Sequence, residues 1–173
     1  DPASEYEEAG LMFHQSIVAA RHRIWIASPY FVPDRGIMAA LQLAALRGVD
    51  VRVMIPDEPD GPVVAMANWS FTRELLACGG NVYRYEGGFM HQKVLLMDDQ
   101  LAGVGTANFD NRSFRLNFEI TLLVEDPAFA GEVEAMLVHD LERSRQVGLA
   151  ELEGKPAWFT LGMAIARLFA PVL

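Results

Sequence analysis

Lysine is scarce in this 173-residue chain. Of its 14 cationic side chains only Lys93 and Lys155 are lysines, against 23 acids and a net charge of −9. The cations are scattered among acids, so no basic stripe exists to neutralise a phosphate backbone, and no nucleic-acid partner is expected. Cysteine occurs once, at Cys78, which excludes an internal disulfide and reads as a reduced, half-buried helix residue. No run reaches the roughly 20 apolar residues of a spanning helix. The opening "DPASEYEEAG" is acidic where a secretion signal is basic and then apolar. A start at Asp1 without methionine reads as a fragment of something longer. There is no internal repeat and no low-complexity tract.

What remains is an ordinary globular composition, 51% hydrophobic and 21% charged. Apolar spacing predicts a helix over Tyr6–His22, then a strand in "RIWIAS" that the prolines of "SPYFVP" end. Asp34 caps a helix to Arg47 that Gly48 closes, and "VDVRVMIP" is the second strand. A loop over Asp57–Pro62 leads to a helix over Val63–Ala77, and "CGGNVYRY" runs into the third strand. Strands separated by long helices imply crossovers and a largely parallel sheet. His91–Met97, Ala102–Thr106 and Phe118–Val124 follow without helices, as neighbours joined by turns. An amphipathic helix over Pro127–Gln146 presents Phe129, Val133, Met136, Leu137 and Leu141 on one face. The expected fold is α/β, a mixed, mostly parallel sheet with helices on both faces, over residues 1–147. Residues 148–173 form an apolar tail, too short to span a bilayer. Through Trp158, Phe159, Leu161, Ile165, Leu168 and Phe169 it either lies at a membrane interface or docks on the protein.

The stretch "HQKVLLMDD" opens with two side chains that are costly to bury. Strand alternation puts His91 and Lys93 on one face, with Leu95 and Met97 continuing that face as core. Asp98 falls on the opposite face, where a turn or salt-bridge role suits it. In "GTANFDNRSF", Gly105 permits close backbone approach and Asn108 offers an amide donor. In "NFEITLLV", Phe118, Ile120, Leu122 and Val124 share a face, leaving Glu119 on the other. A carboxylate beside a histidine fixes its tautomer. Lys93 and Asn108 would hold phosphate oxygens, and His91, aligned by Glu119, would attack phosphorus. Tyr30 and Phe31, at the carboxyl end of the first strand, are candidates for lining a substrate cleft or for core packing. Arg112, Ser113 and Arg115 are candidates for meeting phosphate or a partner half.

The pattern His-x-Lys-x4-Asp-x6-Gly-Thr-x-Asn resembles the HKD signature of the phospholipase D superfamily, with His91, Lys93, Asp98, Gly105 and Asn108 at its positions. Glu119 falls where family members carry the histidine-orienting acid, and the resemblance implies a catalytic set of His91, Lys93, Asp98, Asn108 and Glu119. "SPYFVPD", "LRGVDVRVMIPD" and "NFDNRSFRLNFE" resemble the C-terminal half of bacterial cardiolipin synthases, over about Leu11–Gln146. That resemblance implies transphosphatidylation at the bacterial cell membrane, peripheral or anchored through other parts. A histidine would take the phosphatidyl group of one phosphatidylglycerol and pass it to a second, giving cardiolipin and glycerol. It implies no cofactor and no metal, and "HQK" puts a cation where a metal would want a ligand. Family sites normally combine two HKD motifs and this chain has one. Its partner is then an N-terminal HKD half of the same enzyme or a second copy of itself, the latter as in a homodimeric single-motif nuclease or phosphodiesterase. Whether His91 is the nucleophile or the general acid stays open.

Overall fold

The computed structural model describes residues 6–58 and 61–170. Residues 1–5 and 171–173, and Pro59 and Asp60 of the expected 57–62 loop, lie outside them. Helix α1 (Glu8–Ala19) turns Phe13, Ser16 and Ile17 inward and leads to strand β1 (Arg23–Ala27). After the short strand β2 (Phe31–Val32), helix α2 (Arg35–Leu46) starts where Asp34 accepts a hydrogen bond from the Ile37 N–H at 2.8 Å. It ends at Gly48, whose φ of 86° suits a residue without a side chain. Strand β3 (Asp50–Pro56), helix α3 (Pro62–Leu76) and strand β4 (Asn81–Tyr85) complete two crossovers. Strands β5 (Val94–Met97), β6 (Leu101–Gly105), β7 (Phe109–Asp110) and helix α4 (Asn111–Arg115) carry the motif. Strand β8 (Thr121–Glu125), helix α5 (Pro127–Glu142), strand β9 (Ser144–Val147) and helices α6 (Leu149–Glu153) and α7 (Ala157–Leu168) finish the chain.

Seven strands form one sheet in the order β8-β6-β5-β1-β3-β4-β9, and β2 and β7 pair parallel in a small second one. The sheet is mixed, as expected, but parallel pairing is confined to β1–β3 and β3–β4. The other four pairs are antiparallel, because tight turns join β5 to β6 and because β8 and β9 close both edges. Strand alternation divides the interior in two. Ile24, Ile26, Val51, Val53, Ile55, Val82 and Leu95 pack on the face covered by α1, α2 and α3. Trp25, Ala27, Met54, Tyr85, Val94 and Leu96 meet Ala130, Val133 and Leu137 of α5 on the other.

Several expectations need correction. The segment between the prolines of "SPYFVP" is not merely a strand end: β2 pairs with β7 in their own two-stranded sheet. The last helix stops at Glu142, and "SRQV" becomes edge strand β9, with the Ser144 hydroxyl bonded to the Asp140 carbonyl at 2.7 Å. Met136 lies on the outer side of α5, 39% exposed, while Ala130 takes the inner place. The face shared by Phe118, Ile120 and Leu122 is largely in solvent, at 79%, 66% and 61% exposure, because β8 is an edge strand and α5 does not reach that far.

Candidate active site

The motif straddles the head of the β5–β6 hairpin. β5 proper begins at Val94, yet the Lys93 carbonyl still accepts from the Gly105 N–H at 3.2 Å, so the strand parity extends to Lys93. Lys93 therefore shares a face with Leu95. It lines a small crevice with Phe13, Gly103, Ala107, Phe109 and Thr121. Its ammonium donates to the His91 carbonyl at 2.8 Å. His91 is exposed and its ring stacks on Phe89, with centroids 5.6 Å apart and planes 11° from parallel. Gly105 is required by close approach: a methyl there would collide with the Ile120 carbonyl and stand 2.6 Å from the Thr121 Cα.

A hydrogen-bonded segment beside this edge holds the remaining polar groups. The Ser28 hydroxyl, at the end of β1, donates to the Tyr30 carbonyl at 2.7 Å and accepts from the Phe109 N–H at 3.0 Å. Asp110 caps α4 by accepting from the Ser113 N–H at 2.6 Å. The Ser113 hydroxyl accepts from the Asn108 N–H at 3.1 Å and donates to Glu119 at 3.3 Å, and the Asn117 amide also donates to Glu119, at 3.1 Å. Burial pushes the Asp110 carboxyl up, with the neighbouring Glu119 charge adding, against bonds from Ser113 and Asn108 that lower it. Asn108 is half-buried, and its Oδ1 is buried without a partner.

Asp98 lies at the far end of β5. Its carboxylate accepts the backbone N–H groups of Arg21, His22 and Arg23 at 2.8–3.2 Å. Burial alone would raise its pKa, but these three donors outweigh burial and hold it lowered. Its φ of 50° is unusual for a non-glycine residue, and the clamp holds it there. Grouping Asp98 with the catalytic side chains does not fit this position; it fastens the hairpin to the start of β1.

The structure places Lys93 in a crevice with Ala107, Phe109 and Thr121, links Asn108 and Glu119 through Ser113, and leaves His91 exposed against Phe89, with differences from expectation. Among the described residues no hydrogen bond joins Glu119 to His91; the carboxylate is held by Ser113 and Asn117. Ser113 is 2% exposed and so positions neighbours rather than meeting a ligand. Phe31 is fully buried, its N–H bonded to Asn68 at 2.9 Å, because β2 is pinned under α3; it is core, not cleft. Tyr30 is half-buried. Arg112 is exposed, with its Nε 3.4 Å from the Asn117 Oδ1. Arg115 pairs with Glu7 at 2.9 Å. Sequence reasoning missed Phe89, Ser28 and Asn117. An aromatic two residues before the histidine was the available signal for Phe89; nothing local marks the other two.

A three-strand parallel core extended by a hairpin with His-x-Lys at its head defines a phospholipase D-type α/β fold. Solved structures share it: the Nuc phospholipase D family member from Salmonella typhimurium, at TM-score 0.69 and 21% identity, covers 79% of this chain and 89% of its own. Phosphatidylserine synthase from Haemophilus influenzae, at TM-score 0.77 and 17% identity, covers 95% of this chain and 45% of its own. Residues 13–141 match the family described as cardiolipin synthase, PLD-like domain, and the chain belongs to that family. Cardiolipin synthase A of Pseudomonas entomophila is 50% identical over 172 residues, and that of Pseudomonas putida 49%. The match covers 99% of this chain but 36% of each relative, so the chain spans about a third of their length.

Proposed function

We propose that this chain is the C-terminal catalytic half of a cardiolipin synthase working at the bacterial cell membrane. A histidine attacks the phosphorus of one phosphatidylglycerol, the bond to the glycerol headgroup breaks, and glycerol leaves with a proton from a second histidine. The phosphatidyl-histidine then yields its group to the hydroxyl of a second phosphatidylglycerol, whose proton returns to that second histidine. Cardiolipin and glycerol result. Lys93 offsets the charge building on the phosphoryl oxygens. One N–H of the Asn108 amide faces Asp110 and the other can serve the same oxygens. Glu119, held by Ser113 and Asn117, supports the imidazolium. Tyr30 and Arg112 are the proposed substrate contacts.

The observation that carries this reading is the half-open edge. His91 stacks on exposed Phe89, and the neighbouring edge strand β8 with the turn before it leaves Leu116, Phe118, Ile120 and Leu122 exposed, an apolar rim that suits a second HKD half. Four of these are more than 60% exposed. The 36% coverage of relatives named cardiolipin synthase A supports a missing remainder. The complete gene product, incubated with phosphatidylglycerol vesicles, should form cardiolipin, and His91→Ala should lower the rate at least about a thousandfold. Undiminished synthesis in that variant would remove His91 from the chemistry.

A second reading, a single-motif nuclease or phosphodiesterase active as a homodimer, is favoured by the single motif and the fold shared with Nuc. Two copies would then bring both His91 residues to one cleft. The net charge of −9 weighs against a nucleic-acid substrate.

A further inference from the structure

Helix α7 is apolar on two sides, and the fold uses only one. Its inner side packs on α3: Met163 and Ala166 are buried, Gly162 lets the backbone approach Met66, and Phe159 meets Trp69 edge-on at 6.3 Å. Arg167 reaches Ser70 and Glu74 on α3. The outer side carries Trp158, Leu161, Ile165, Leu168 and Phe169, between 49% and 77% exposed. Their spacing of three, four, three and one makes a continuous stripe along the helix. This stripe is separate from the exposed apolar rim of Phe89 and β8. That rim belongs to the β8 edge and the loop before β5, whereas α3 packs over β4 and β2.

Charge distinguishes what can cover it. Residues 154–173 contain Lys155 and Arg167 and no acid, while every one of the 23 acidic residues lies before them. An anionic surface is repelled by the acidic charge of the whole molecule and tolerated along this acid-free segment. An aromatic at each end of an apolar stripe, with no acid in the segment, is a composition suited to a helix lying in a lipid headgroup layer. The far end of α7 is tied to the catalytic segment: the Asn111 amide donates to the Ala170 carbonyl at 2.9 Å and to the Val32 carbonyl at 3.3 Å. Asn111 follows Asp110 directly and opens the helix whose Ser113 holds Glu119.

We propose that the outer stripe of α7 lies on an anionic phospholipid surface and sets the orientation of the His91–Lys93 edge to that surface. The inference rests on the reading of a lipid substrate but is tested without catalysis. Trp25 and Trp69 are buried and Trp158 is 66% exposed, so tryptophan emission reports α7. The 173-residue chain should float with phosphatidylglycerol vesicles more than with phosphatidylcholine vesicles, with its emission shifting to the blue. The double variant Leu161→Glu, Ile165→Glu should weaken flotation about tenfold or more, while Leu46→Glu, at another exposed apolar position, should not. Circular dichroism checks folding, and the single variant Trp158→Ala repeats the test with a milder change. Absence of flotation, equal flotation of the α7 variants, or a lipid-free dimer that these variants dissolve would overturn the proposal. If flotation fails while the complete enzyme still makes cardiolipin, only this inference falls; flotation without transfer removes only the proposed function.

Discussion

Two aspartates near the motif have opposite electrostatics, and pH separates them. Asp98 is held below its ordinary pKa by three backbone donors. Its contribution is therefore present above the unfolded value of about 3.9 and lost as pH falls through the folded pKa. Asp98→Asn should cost about 1–3 kcal/mol at neutral pH, with the deficit shrinking in acid. Asp110 is raised by burial, so its contribution is present below the unfolded pKa and lost as pH rises through the folded one. Asp110→Asn keeps an acceptor for the Ser113 N–H and should match or exceed the parent in melting temperature at neutral pH, the difference narrowing in acid. Melting curves from acid to neutral pH check both, and a deficit of Asp98→Asn that grew in acid would contradict the clamp. Ser113 shows why single residues mislead: its hydroxyl looks like a phosphate contact in sequence, yet burial turns it into the link between Asn108 and Glu119.

At the scale of elements, the two edges of the sheet differ. β9 shields one edge with Ser144, Arg145 and Gln146, polar residues that suit a blunted edge. β8 and the turn before it leave Phe118 and Ile120 in solvent, which a stable monomer rarely does in a cluster. Phe118→Asp with Ile120→Asp should leave the melting temperature of this chain nearly unchanged, within about 0.5 kcal/mol. In the complete enzyme the same pair should lower cardiolipin formation about tenfold or more, through lost docking of the second half. Unimpaired synthesis would show that the rim is not that interface.

For the whole molecule, one crossover-built sheet carries one His-x-Lys edge, and the number of such edges a site needs separates the two functional readings. If the chain is one half of a longer enzyme, size-exclusion with light scattering should return a monomer at micromolar concentration, in vesicle-free buffer. A stable two-fold dimer would favour the homodimeric reading, because a closed pair places both His91 residues at one interface. The net charge of −9 bears on the dimer outcome, since like charge opposes self-association.

Much of this was legible in the chain itself. The cap at Asp34, the stop at Gly48, the alternation of β1, β3 and β5 and the spacing from His91 to Asn108 are local, and local backbone preferences and side-chain parity fix them. Long-range contacts decided the rest. The β2–β7 pairing that buries Phe31, the strand β9, the Ser28 bridge to Phe109 and the Ser113 hold on Glu119 join residues whose sequence carries no mark of the partner. The two unpartnered apolar surfaces belong to that second group, because an alternating or helical pattern tells which residues share a face, and only packing tells whether anything covers it.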